Sequence, residues 1–173
     1  GRGGGQMLSE NRYYLVQLHA NANTGWKEAF DTSQSEPPTL PHTLETSEGT
    51  PFRIGNDIIV VAGGDFPQAK GRVDRIAIHR KASSVHFLCA ADFDGAADGV
   101  RGYFTLRCSD GCMTMVPLIA DRNVCDYRNS SGVPSGSHIP LKNLILCELT
   151  WSNPHPNKRI ADLAFAPTPW SDV

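Results

Sequence analysis

No stretch of this 173-residue chain approaches the roughly 18 consecutive apolar residues of a membrane-spanning helix. No leader with a basic start and an apolar centre opens it. Neither charge sign is in surplus. The formal net charge of -2 argues against nucleic acid or an anionic membrane held by bulk charge. His-x-x-x-His and Cys-x-x-Cys spacings are missing, which removes the common transition-metal patterns. There is no Gly-x-Ser-x-Gly elbow, no Walker loop and no Rossmann fingerprint. Gly63-Gly64 is followed by Asp65-Phe66-Pro67 rather than by a helix that could hold a phosphate. Amphipathic helices and internal repeats are lacking too.

What is present is β-strand pattern. Arg72 to Ile78 alternates apolar and polar residues, and Ser83 to Ala91 follows after the basic turn His79-Arg80-Lys81. Gly102 to Arg107 and Met113 to Leu118 flank Cys108-Ser-Asp-Gly-Cys112. Asp-Gly between two alternating runs predicts a hairpin, because glycine takes the positive φ of the turn without steric cost. Further strands are predicted at Arg12 to His19, Pro51 to Ile54, Asp57 to Val61, Leu144 to Trp151 and Ile160 to Phe165. Asp57 to Val61 is apolar on both faces, as in a covered central strand. Asp31 to Thr50, with Pro37, Pro38 and Pro41, is expected to hold no regular element. Ile119 to Tyr127 is expected to add at most one short strand before a flexible Arg128 to His138, and Trp26 to Phe30 one helical turn. Short strands at this spacing predict an all-β, two-sheet antiparallel β-sandwich with little helix. Residues 1–10 are expected to be a flexible linker or an expression remnant, 11–167 a single β-sandwich domain and 168–173 a tail.

Five cysteines make an odd count. Cys108 and Cys112 flank the hairpin turn, where facing positions can be bridged; free thiols are the alternative. Cys89 and Cys147 lie in apolar strands and read as small buried hydrophobes, and Cys125 has no obvious partner.

The order of segments resembles the galactose-binding-like jelly-roll modules of secreted bacterial glycoside hydrolases and related polysaccharide-degrading enzymes. The pieces that carry this are Thr50 to Ile54, Val73 to Ile78 with Arg80 to Ala82, Val85 to Ala90, Gly102-Tyr-Phe, Ser109-Asp-Gly111, Val116 to Leu118, Asp121 to Tyr127, Trp151 to Pro156, and Ile160 to Phe165. The resemblance implies a jelly roll, an extracellular or periplasmic setting, a polysaccharide or oligosaccharide partner, and a catalytic domain in the same parent chain. Modules of this fold often carry a structural calcium ion; the resemblance names no residues for it. No other cofactor is expected.

A sugar site on a sandwich needs an aromatic face for stacking and fixed polar groups for hydroxyls. Asp121, Arg122, Asn123, Asp126, Tyr127 and Arg128 offer all of these within one loop; otherwise Asp121 and Asn123 brace turns and Tyr127 packs in the core. Trp151, Asn153 and His155 form a second set on a proline-stiffened loop, with a core tryptophan beside a rigid turn as the plain alternative. Trp26, near Asn21 and Asn23, is either an exposed platform or an anchor. Asp92, Asp94 and Asp98 alternate with glycine and suggest calcium, but Ala96 stands where a further ligand belongs and no Glu closes the loop. The expected function is a non-catalytic carbohydrate-binding module. A structural accessory domain packing on a catalytic neighbour is the alternative. A small polysaccharide lyase or hydrolase is the third reading, although no acid–base pair stands out in the sequence.

Overall fold

The computed structural model describes residues 5–8, 13–25, 40–61, 71–91, 99–128, 137–141 and 144–169. Its elements in chain order are β1 (Gly5–Leu8), β2 (Tyr13–Val16), a 3-10 turn (His19–Asn21), β3 (Thr24–Gly25), β4 (Thr43–Glu45), β5 (Pro51–Arg53), β6 (Asp57–Ile58), β7 (Val73–Arg80), β8 (Ser84–Cys89), β9 (Val100–Cys108), β10 (Met113–Ile119), β11 (His138–Leu141), β12 (Leu144–Ser152) and β13 (Ile160–Ala166). The fold is all-β, and every strand pair is antiparallel.

Two sheets carry the structure. One is four-stranded in the order β10-β9-β13-β7, the other three-stranded in the order β11-β12-β8. Alternation explains how they meet. Ile76, Ile78, Phe104, Leu106, Leu118, Ile160 and Leu163 of the first sheet share one buried core with Phe87 of the second. Val85, Cys89, Leu149 and Trp151 pack against the same core from the second sheet. The centre is aromatic. Phe104 stacks on Phe87 at 4.0 Å between ring centroids and on Phe165 at 4.7 Å. Burying such side chains face to face is the main favourable term of a sandwich.

The outer face of the three-stranded sheet divides along its length. At one end Tyr127, Ile139, Leu144 and Leu146 form a second apolar cluster, against which Leu40, Leu44 and Leu88 pack. At the other end β8 and β12 present Ser84, His86, Glu148 and Thr150.

The predicted hairpin forms between β9 and β10, with Gly111 at φ 96°. The Cys108 N–H donates to the Cys112 carbonyl, and the two side chains are bridged. Gly102 serves a different need: a Cβ there would stand 3.1 Å from the Ala166 carbonyl oxygen on the neighbouring strand. Arg75 and His79 adopt φ values of 58° and 51° within β7, where its pairing with β13 shifts register. Such bulges bend and twist the strand, which is how β7 keeps Val73, Ile76 and Ile78 all buried despite their uneven spacing.

Several expectations need correction. Asp57 to Val61 is not a covered central strand. Asp57–Ile58 pairs with Thr24–Gly25 in a two-residue ladder, Val61 makes a single bridge, and Ile58 to Val61 are half-buried. Asn23 extends that pairing by side chain: its amide donates to the Val60 carbonyl at 2.8 Å and accepts from the Val60 N–H at 2.8 Å. Thr43–Glu45 forms a strand inside the stretch expected to be irregular, because β5 supplies its hydrogen bonds. Gly5–Leu8 pairs with Tyr13–Val16 rather than lying wholly in a linker. His138 begins β11 rather than ending a flexible segment, and His79 and Arg80 continue β7. The predicted helical turn at 26–30 lies outside the described residues.

Phe104→Ala should lower stability by about 3–5 kcal/mol, since its ring touches both sheets' aromatic partners. Chemical denaturation followed by intrinsic fluorescence checks this; a loss under about 1 kcal/mol would show that the stack is not central.

Candidate functional site

Cys125 and Cys147 fix the main site-bearing loop. They form a second disulfide, with Cα atoms 6.3 Å apart. Cys125 therefore has a partner after all, and Cys147 is a crosslink rather than a plain buried hydrophobe. The pairing escapes sequence reading because 22 residues separate the two. Backbone bonds hold the same segment on both sides: Ala91 N–H to the Cys125 carbonyl, Tyr127 N–H to the Ala91 carbonyl, and Ile145 N–H to the Tyr127 carbonyl. Cys89 stays a free thiol opposite Cys147 in the strand register. Burial pushes its pKa up to about 12, although the residue keeps some surface, so it is a poor nucleophile.

Within this loop the nominated residues divide. Asn123 braces the turn: its side-chain oxygen accepts from Ile119 N–H at 2.6 Å, and its amide donates to the Pro117 carbonyl at 2.9 Å. Asp121 sits at φ 61°, a conformation that aspartate tolerates better than most residues. Asp126 is buried and accepts from the Arg128 backbone at 2.8 Å and from its guanidinium at 3.2 Å. Tyr127 is only 5% exposed and belongs to the second apolar cluster, with the Arg128 guanidinium over its ring. It is a core residue, not a stacking platform.

The second set is also mostly structural. Trp151 is half-buried against the main core. Asn153 ties its loop to the turn between β7 and β8: its amide donates to the Ala82 carbonyl at 2.9 Å, and its oxygen accepts from His155 N–H at 2.9 Å. His155 is exposed. Trp26, Asp92, Asp94 and Asp98 lie outside the described residues.

Arg122 stands apart. It is exposed and lines a groove of about 230 Å³ with Glu48, Asn123, Ser137, Glu148, Leu149 and Thr150. Among the described residues no aromatic ring lines it. The set combines a guanidinium, two carboxylates, an amide and two hydroxyls, so it can both donate to and accept from a polyol. Glu148 is the buried member, its side chain 4% exposed, and lies 3.2 Å from His86 Nδ1. The sequence nominated only Arg122 and Asn123 here. A lone carboxylate within the apolar strand Leu144 to Trp151 was the signal for Glu148. Glu48 and Ser137 reach the groove only through pairings that the sequence does not show.

Among the described residues one group has the spacing of metal ligands: Cys108, Asp110 and Cys112. Its sulfurs are bonded to one another, so in the oxidised protein it offers no thiolate, and sulfur ligands do not suit calcium. Asp110 has another role there. A hydrogen bond from the Cys112 N–H, with Lys158 beside it, lowers its carboxyl pKa and braces the hairpin tip.

Asn123→Ala should cost about 1–3 kcal/mol, because it leaves the Ile119 N–H and Pro117 carbonyl without their partner. A thermal melt checks this; an unchanged midpoint would mean that the turn holds without the amide.

No family model, curated protein or solved structure matches this chain.

Proposed function

We propose that this is a carbohydrate-binding module whose site is the Arg122 groove. The observation that carries the reading is the composition of that groove, in which a guanidinium and two carboxylates converge with hydroxyl and amide groups. Such groups recognise vicinal hydroxyls by paired, charge-assisted hydrogen bonds. Its rigid floor supports the same reading. β12 supplies Glu148 and Thr150, and the turn braced by Asn123 supplies Arg122. Recognition here is polar, because the anticipated aromatic Tyr127 is spent on the core. The two disulfides suit a secreted parent protein of the kind the segment order resembles, in which the module would hold a polysaccharide-degrading domain at its substrate.

A second reading is favoured by a different observation. Met113 and Met115 are 45% and 46% exposed on β10, an edge strand of the four-stranded sheet. Adjacent exposed methionines on an edge suit packing against a neighbouring domain. In that case the module would be a structural accessory domain.

A glycan array of galactans, xylans, pectins and sulfated polysaccharides separates the two. A selective hit is expected, weakened about tenfold or more by Arg122→Ala with no change in melting temperature. The absence of binding to every polymer would remove the carbohydrate reading and leave the packing domain.

A further inference from the structure

The polar end of the β8–β12 face holds more than a hydrogen-bonding ladder. Ser84 and His86 are two apart on β8, so both side chains emerge on one face. Ser84 Oγ lies 3.1 Å from His86 Nε2. On the other side of the ring, His86 Nδ1 lies 3.2 Å from Glu148 Oε2 and 2.9 Å from Thr150 Oγ1. With the proton on Nδ1, the imidazole donates towards Glu148 and Thr150 and accepts from the Ser84 hydroxyl. Exposure is graded in the same direction: the Glu148 side chain is 4% exposed and the His86 side chain 21%. Ser84 is half-buried, within reach of solvent. A buried carboxylate that orients an imidazole, which in turn faces a reachable hydroxyl, is the arrangement that activates a serine for acyl transfer. The Tyr13 ring packs edge-to-face with the imidazole, 5.9 Å away between centroids.

We propose that Ser84, His86 and Glu148 form a nucleophilic relay that hydrolyses short-chain carboxylic esters. Ser84 Oγ bonds to the ester carbonyl carbon, and its proton passes to His86 Nε2. The bond from that carbon to the alcohol oxygen breaks, and the departing oxygen takes the proton from His86. Water then attacks the acyl-serine and gives a proton to His86, which returns it to Ser84 as the acid leaves. Ester and water become acid and alcohol, with no other reactant. Ser152 lies directly across from Ser84 in the strand register, which places a further hydroxyl on the same face for the developing oxyanion. The side chains that flank Ser84 on this face, His86, Thr150 and Ser152, are polar, which favours a short acyl group over a long apolar one. The relay shares Glu148 and Thr150 with the Arg122 groove but goes beyond sugar recognition, since its chemistry runs through Ser84 and His86, which do not line that groove.

The test is covalent labelling of the folded protein with a fluorophosphonate probe, with the adduct located by peptide mass spectrometry, alongside turnover of p-nitrophenyl acetate. The expected result is an adduct on Ser84, absent in Ser84→Ala and slowed about 100-fold or more in His86→Gln, with turnover falling in parallel. Melting curves show that each variant is folded. Glu148→Gln should slow labelling in the same direction as His86→Gln; should it fail to fold, the His86→Gln comparison decides. Absence of an adduct on the folded wild type, labelling elsewhere, or equal labelling of His86→Gln would overturn the relay and leave the cluster a structural ladder.

Discussion

The stack of Phe87, Phe104 and Phe165 sets the geometry on which the rest depends. It joins the two sheets at their centre, and each ring belongs to a different strand. Because side chains alternate along a strand, fixing Phe87 towards the core turns His86 to the opposite face of β8. The register with β12 then sets Thr150 opposite His86, and Leu149 opposite Phe87 in the core. A slip of one residue would bury the polar set and expose the apolar one. The core therefore decides where the candidate chemistry lies.

β12 connects these layers. Leu149 and Trp151 face the main core, Leu144 and Leu146 serve the second cluster, and Glu148 and Thr150 line the groove. Cys147 bonds the strand to the loop that carries Arg122. A strand crosslinked and packed on both faces makes a rigid support for polar groups that must hold their geometry.

The strong local patterns were legible. Asp110-Gly111 between alternating runs marked the β9–β10 hairpin, and the alternation of Ile160 to Phe165 marked β13. The short strands β1, β4 and β11 were not legible, because four residues or fewer carry little periodicity and their identity comes from the partner that pairs with them. The bulges at Arg75 and His79 were hidden for a similar reason, since no glycine announces them. At the site, the sequence pointed to the loop holding Arg122 and Asn123 but overvalued Tyr127 and Trp151. An aromatic residue in a mixed loop has no local feature that separates platform from core. Ser84 and His86 are neighbours on β8, but Glu148 joins them only through the β8–β12 register, which links positions more than sixty residues apart.

The most direct test of the carbohydrate reading is a residue-resolved NMR titration of the module with oligosaccharides from the polymers that it selects. The account predicts amide shifts centred on Arg122, Ser137 and Glu148 to Thr150, saturating with ligand. Shifts centred on Met113 and Met115, or none at saturating sugar, would contradict it.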